Sequence, residues 1–193
     1  MTGSREKWTE VGEKLLRQIG ISEDQKVVDF GCGSGNYTFP AARIVGKSGS
    51  VYALDKDKKV LNELMHKAES MDMYNIFRLD VSRDSEIPLD NESIDVVLLF
   101  DVLHFYYFPE KHSRKRLLHD IHRVLKPGAI LLLCPTHLQS NMEPKLEQVQ
   151  REIDEANFDF ECEYSGTLII HDRNLEENKV MCFRKISNKH QPG

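Results

Sequence analysis

The 193 residues are 40% apolar and 30% charged, with a formal net charge of −5. That length and balance fit one globular domain spanning 1–193 and exclude a low-complexity or disordered chain. The acidic balance argues against an extended nucleic-acid surface, which needs basic charge, and no apolar run approaches the length of a membrane span.

No apolar run occurs over 1–7, so no secretory signal is expected. Trp8, Val11, Leu15 and Ile19 recur at spacings of three and four before Gly20, which predicts a helix over 6–19 within an N-terminal segment 1–22. Val27-Val28-Asp29-Phe30 predicts a buried strand. A helix is predicted over 37–45, with Pro40 tolerated in its first turn. A strand over 51–54 precedes a helix from near Asp57, with Val60, Leu61, Leu64 and Ala68 on one face. Phe77-Arg78-Leu79-Asp80-Val81 is a third run, and Ile94-Asp95-Val96-Val97-Leu98-Leu99-Phe100 holds a fourth strand. Leu117, Leu118, Ile121, Val124 and Leu125 stripe a helix that Pro127-Gly128 ends, and a strand over 129–134 follows. Pro144 opens a helix striped by Leu146, Val149, Ile153 and Ala156. Thr167-Leu168-Ile169-Ile170 and Val180-Met181-Cys182-Phe183 lie too close for a crossover helix, so an antiparallel hairpin is expected, and the polar tail 188–193 is expected to fray. Cys32, Cys134, Cys162 and Cys182 have irregular gaps and no C-x-x-C, the pattern of reduced thiols in a cytoplasmic protein.

The loop Gly31-Cys32-Gly33-Ser34-Gly35 carries the chemistry. Glycines there permit a sharp turn and a close ligand approach, and the following helix start offers N–H groups. This is the outline of an adenosine-cofactor site at the first strand–helix turn of an α/β sheet. The dinucleotide fingerprint needs Gly-x-Gly-x-x-Gly; here the third glycine comes one residue early and Asn36 takes its place. Asp29, two residues before the first glycine, would repel a pyrophosphate and attract the ammonium and sulfonium of S-adenosylmethionine. Asp55 ends the second strand about twenty residues on, where a carboxylate can accept from both ribose hydroxyls.

With these residues the chain resembles the class I S-adenosylmethionine-dependent methyltransferases over roughly 26–135, most closely the small-molecule and quinone-biosynthesis group. The resemblance implies an α/β fold: a Rossmann-like, doubly wound, three-layer αβα domain. Its seven-stranded, mostly parallel sheet would have an antiparallel C-terminal strand. It implies S-adenosylmethionine as cofactor, S-adenosylhomocysteine as product, a small-molecule acceptor and no metal. It places Asp29, Gly31, Cys32 (through its backbone), Gly33, Gly35, Asp55, Lys56, Asp80, Val81, Phe100 and Asp101 around the cofactor, with Asp80 on the adenine amino group.

His104-Phe105-Tyr106-Tyr107-Phe108 follows the fourth strand, at the sheet edge where open α/β folds bind ligand. In the resembled family this loop borders the transferable methyl group. His104 is the first candidate base and Tyr106 the second, needed only if the acceptor must lose a proton. Lys111, Arg114, Lys115, Arg116, Arg123 and Lys126, with His112, His119 and His122, read as a solvated helix face; a phosphate or RNA patch is the alternative. A lid would have to be the first helix or a partner chain, or be absent. Two other readings stay open: a non-catalytic cofactor-binding or partner subunit of the same fold, and an NAD(P)-dependent oxidoreductase, against which Asp29 and Asn36 count.

Overall fold

The computed structural model describes residues 2–80, 87–139, 144–170 and 174–186, and at 2–8, 137, 139 and 170 the backbone alone. The side chain of Trp8, all of Val81 and the tail 188–193 lie outside the described residues. The elements in chain order are α1 (Thr2–Gln18), β1 (Lys26–Phe30), α2 (Thr38–Val45), β2 (Ser50–Leu54), α3 (Lys58–Ser70), β3 (Ile76–Leu79), β4 (Ile94–Phe100), α4 (Lys111–Val124), β5 (Leu125–Cys134), α5 (Leu146–Glu155), β6 (Phe158–Ile170) and β7 (Asn174–Lys185). A short 3₁₀ turn, Thr136–Gln139, follows β5.

The strands form one seven-stranded sheet in the order β3-β2-β1-β4-β5-β7-β6. β3 to β5 pair in parallel, and β7 runs antiparallel to both of its neighbours. Successive strand side chains point to opposite faces, and this divides the core. Val27, Val51 and Val96 pack with Leu16, Ile44 and Leu61 of α1, α2 and α3. Val28, Val97 and Leu131 pack with Leu117, Ile121 and Val149 of α4 and α5 on the other face. The three-layer αβα arrangement implied by the family resemblance follows.

Several boundaries differ from expectation: α1 begins at Thr2 rather than 6, α5 begins at Leu146 rather than at Pro144, and two larger differences concern the sheet. Leu125 does not end α4: it opens β5 opposite Ile94, with φ −70° and ψ 137°. Pro127 disfavours helical backbone before it, so the helix stops early. The pairing then skips from Ile94–Leu125 to Val96–Ile130, leaving 126–129 as an irregular excursion. The hairpin is also much longer than its apolar runs. Residues 174–179, expected as a connection, pair in β7 with 165–170 of β6. Cross-strand partners, rather than local composition, decide strand length there.

The order of strands positions the site. β1 has β2 on one side and β4 on the other, so the chain leaves their carboxyl ends toward opposite faces and opens a crevice between.

Candidate functional site

The loop after β1 is held from below. The N–H groups of Gly31 and Cys32 both donate to the Leu54 carbonyl, at 2.7 and 3.0 Å, tying it to the end of β2. All three glycines have positive φ, but they serve different ends. A Cβ on Gly31 would lie 2.7 Å from Val102 Cγ2, and one on Gly35 would lie 2.5 Å from the Phe39 ring. A Cβ on Gly33 would meet nothing within 4 Å, and Gly33 lines a cavity of about 360 Å³. Gly31 and Gly35 are thus required by packing, and Gly33 leaves room for a ligand.

That cavity sits at the carboxyl ends of β1, β2, β4 and β5, within the size range of small-molecule sites. Its charged lining is Asp29, Asp55 and Asp101 against Lys56. Asp29 is 3% exposed, and its Oδ2 accepts the Thr38 hydroxyl at 2.6 Å. Burial raises its carboxyl to about 6, with the Thr38 bond opposing and the charge of Asp55 adding. Asp55 accepts the Gly33 N–H on Oδ2 and the Asp57 N–H on Oδ1, each at 2.9 Å. An ionised carboxylate has about four acceptor positions, so both oxygens keep capacity for hydroxyl donors. Asp57 in turn caps α3 through the N–H groups of Lys59 and Val60. Lys56 Nζ lies 4.0 Å from the centre of the Tyr107 ring, linking the ends of β2 and β4 by a cation–π contact. Burial raises the Cys32 thiol strongly and takes Cys134 up to about 11, so both lining cysteines are neutral at physiological pH and serve as walls.

The structure brings Asp29, Gly31, Cys32, Gly33, Asp55, Lys56, Phe100 and Asp101 together on this cavity. Gly35 lies off the lining, under Phe39. Asp80 is off it too, its carboxylate forked onto Arg78 Nε and Nη2 at 2.9 and 2.6 Å. Neither candidate base lines it. His104 is 5% exposed and serves the turn it begins: its Nδ1 accepts the Tyr106 N–H at 3.3 Å, and its carbonyl accepts from Tyr107 and Phe108. Tyr106 is 64% exposed outside the wall. Tyr107 and Phe108 line the cavity instead.

Sequence reasoning passed over Tyr37, Thr136 and Ile169, which also line it. Thr136 had a signal, since it follows the fifth strand at the ligand edge. Ile169 had none, because it arrives from the far hairpin. The basic α4 face also divides. Arg114 is 1% exposed, its Nε and Nη2 on the Glu152 carboxylate at 2.7 and 2.8 Å and its Nη1 on the Phe108 and Pro109 carbonyls at 2.8 and 2.9 Å. Lys115, Arg123 and Lys126 pair with Glu155, Asp120 and Asp95.

A sequence model of the methyltransferase domain family matches residues 28–133, a span from β1 to β5. A probable cobalt-precorrin-6B C(15)-methyltransferase (decarboxylating) of Saccharolobus solfataricus is 38% identical over 66 residues, 34% of this chain and 33% of that protein. A demethylmenaquinone methyltransferase of Geobacillus stearothermophilus is 27% identical over 122 residues, 63% of this chain and 50% of that protein. The chain therefore spans a third to a half of the length of these curated relatives. Among solved structures, a SAM-dependent methyltransferase from Aquifex aeolicus superposes with a TM-score of 0.70 at 21% identity, covering 91% of this chain and 89% of that one.

Proposed function

The chain belongs to the methyltransferase domain family, of the class I S-adenosylmethionine-dependent kind, and from that premise we propose that it transfers a methyl group from this cofactor to a small-molecule acceptor. The observation that carries the reading is the cavity's charge: three lining carboxylates against one lysine, with Asp29 buried at its floor. Such a lining repels a pyrophosphate and suits a ligand bearing an ammonium and a sulfonium. The residues fit the cofactor: Gly33 leaves space beside the loop, Asp55 has acceptor capacity for ribose hydroxyls, and Asp29 and Asp101 offer negative charge.

Bound there, S-adenosylmethionine supplies a methyl group already attached to a good leaving group. The chain's part is then to position, desolvate and exclude water. Tyr37, Phe100, Tyr107 and Phe108 give the cavity aromatic walls, which offer contact area at little entropic cost. Holding two reactants in line supplies several kcal/mol of the barrier by itself. With His104 and Tyr106 off the lining, the proposed chemistry rests on positioning. A small, flat or apolar acceptor is favoured by those walls, and the curated relatives reported above are methyltransferases of small molecules. Nucleic acid is disfavoured because Arg114, Lys115, Arg123 and Lys126 are engaged in ion pairs. No helix among the described residues is long and apolar enough to cross a membrane; we place the protein in the cytoplasm, as its four free cysteines suggest, and treat 1–193 as one domain.

Calorimetric titration with S-adenosylmethionine, S-adenosylhomocysteine and NAD tests the cofactor. Saturable heats are expected for the first two; saturable NAD binding without them sinks the proposal. A methyl-transfer screen over quinols, phenols, thiols and amines, with RNA as control, tests the acceptor, and methylation of RNA alone overturns the small-molecule half.

Asp29 adds a pH dependence. Its carboxyl sits near 6 in the fold against 3.8 for the free group, so the folded state binds more protons than the unfolded one between those values. Asp29 therefore contributes stability below about pH 4 that is lost as pH rises through 6, on the order of 3 kcal/mol. A cation beside it reverses that preference. Binding of S-adenosylmethionine at pH 6 should release a fraction of a proton, and its Kd should weaken on the order of tenfold between pH 7 and pH 5. Titrations in buffers of different ionisation enthalpy read the proton directly. A flat pH profile with no proton released would mean that the cation sits away from Asp29.

A further inference from the structure

Tyr37 and Ile169 are 132 residues apart in the chain, and both line the cavity. The Tyr37 phenol donates to the Ile169 carbonyl at 3.1 Å, and the Ile169 N–H donates back to the phenol oxygen at 2.9 Å. The ring is 7% exposed and stands edge-on to Phe100, centroids 4.6 Å apart. β6 is the edge strand of the sheet, with β7 on one side only. In an antiparallel pair, alternate residues turn both N–H and C=O away from the partner strand. At Ile169 a side chain from the start of α2, two residues beyond the glycine loop, takes both groups, where an open edge would leave them to water or to another chain. The neighbouring Leu168 is fully buried in the same core as α2 and α3.

We propose that Tyr37 is a positioning residue that makes the C-terminal hairpin part of the cofactor site, so that a ligand on the glycine loop stiffens the far end of β6 and β7. The inference rests on the reading of this cavity as an adenosyl-cofactor site. Its physical basis is a shared element. Ser34 and Asn36 precede Tyr37 and line the cavity with it, and Ile169, from the C-terminal hairpin, lines the same cavity. Ordering the loop therefore orders the phenol, and the phenol holds two backbone groups of the hairpin. Phenylalanine at 37 would keep the ring and its contact with Phe100 but leave a buried N–H and C=O unpaired.

Hydrogen exchange read by mass spectrometry tests the proposal on wild type and Tyr37→Phe, each with and without saturating S-adenosylhomocysteine. In wild type the ligand should slow exchange over 164–170 and 174–180 as well as over the glycine loop. In Tyr37→Phe the ligand should still bind, roughly tenfold more weakly, and protect the loop while leaving the hairpin unchanged. The ligand-free samples read the latch by itself, with the variant's hairpin exchanging about tenfold faster and α4 unaffected. Unchanged hairpin exchange in the ligand-free variant overturns the latch, whatever the ligand does. Loop protection without hairpin protection in wild type overturns the coupling. Absence of any saturable heat with S-adenosylhomocysteine overturns the cofactor reading instead, and is distinguished from both by the wild-type titration.

Discussion

Replacing Arg114 with methionine should lower the stability of the fold by about 3–5 kcal/mol, because it strands the buried Glu152 carboxylate without its partner. The two side chains are 2% and 1% exposed, so water does not take over the lost bonds. Gln148 donates to Glu152 Oε1 at 3.0 Å but carries no charge to replace the guanidinium. The same change frees the carbonyls of Phe108 and Pro109, and Phe108 is a wall of the cavity. Urea denaturation measures the first effect. The double variant Arg114→Met with Glu152→Leu separates charge from packing: an apolar pair of similar volume commonly restores the stability lost with one partner. S-adenosylhomocysteine affinity should stay reduced in the double variant, because the Phe108–Pro109 carbonyls remain without their donor. A single variant that loses under about 1 kcal/mol would show that Glu152 finds another arrangement, and the assigned role of Arg114 would fall.

Gly35→Ala is expected to be the other severe change, and Gly33→Ala the contrasting one. Gly35 has φ +85°, and its new Cβ would lie 2.5 and 2.8 Å from two Phe39 ring atoms and 3.1 Å from Leu64 Cδ1. Left-handed backbone and overpacking together should cost roughly 2–5 kcal/mol of stability. Gly33 has φ +50° and open space around the new methyl. It should lose only about 1–2 kcal/mol of stability from backbone strain, while cofactor affinity falls roughly tenfold or more as the methyl enters the ligand's space. Thermal melts and calorimetry on the two variants check the split. If Gly35→Ala melts like wild type while losing the ligand, the loop's third glycine is a ligand contact after all.

Much of the site was legible because its signals are local. A buried strand carrying Asp29, a glycine loop and a helix start occupy one short stretch, and a carboxylate beside a glycine loop needs no long-range contact to be read. Asp55, Phe100 and Asp101 were reachable for a related reason: strands of a parallel sheet end at one edge, so residues at strand ends converge. What resisted were positions whose role depends on what packs against them. Arg114 belongs to a run of basic residues, and only the approach of α5 with Glu152 turns it inward. His104 and Tyr107 lie three residues apart in one aromatic segment, and the turn that buries the first presents the second to the cavity.

By itself the sequence determined the alternation of strands and helices, the glycine loop, the acidic character of the ligand edge and the family to which the chain belongs. The first three depend on hydrophobic period, backbone permissiveness and charge, which are properties of neighbouring residues; the family follows from the resemblance that the glycine loop and its flanking residues carry. The tertiary structure alone decided that β7 inserts between β5 and β6, that Gly31 and Gly35 are packing glycines, and that the Tyr37 phenol holds Ile169 across 132 residues. Those outcomes rest on which surfaces meet once the sheet is assembled. No local pattern encodes a contact whose partner lies at the far end of the chain.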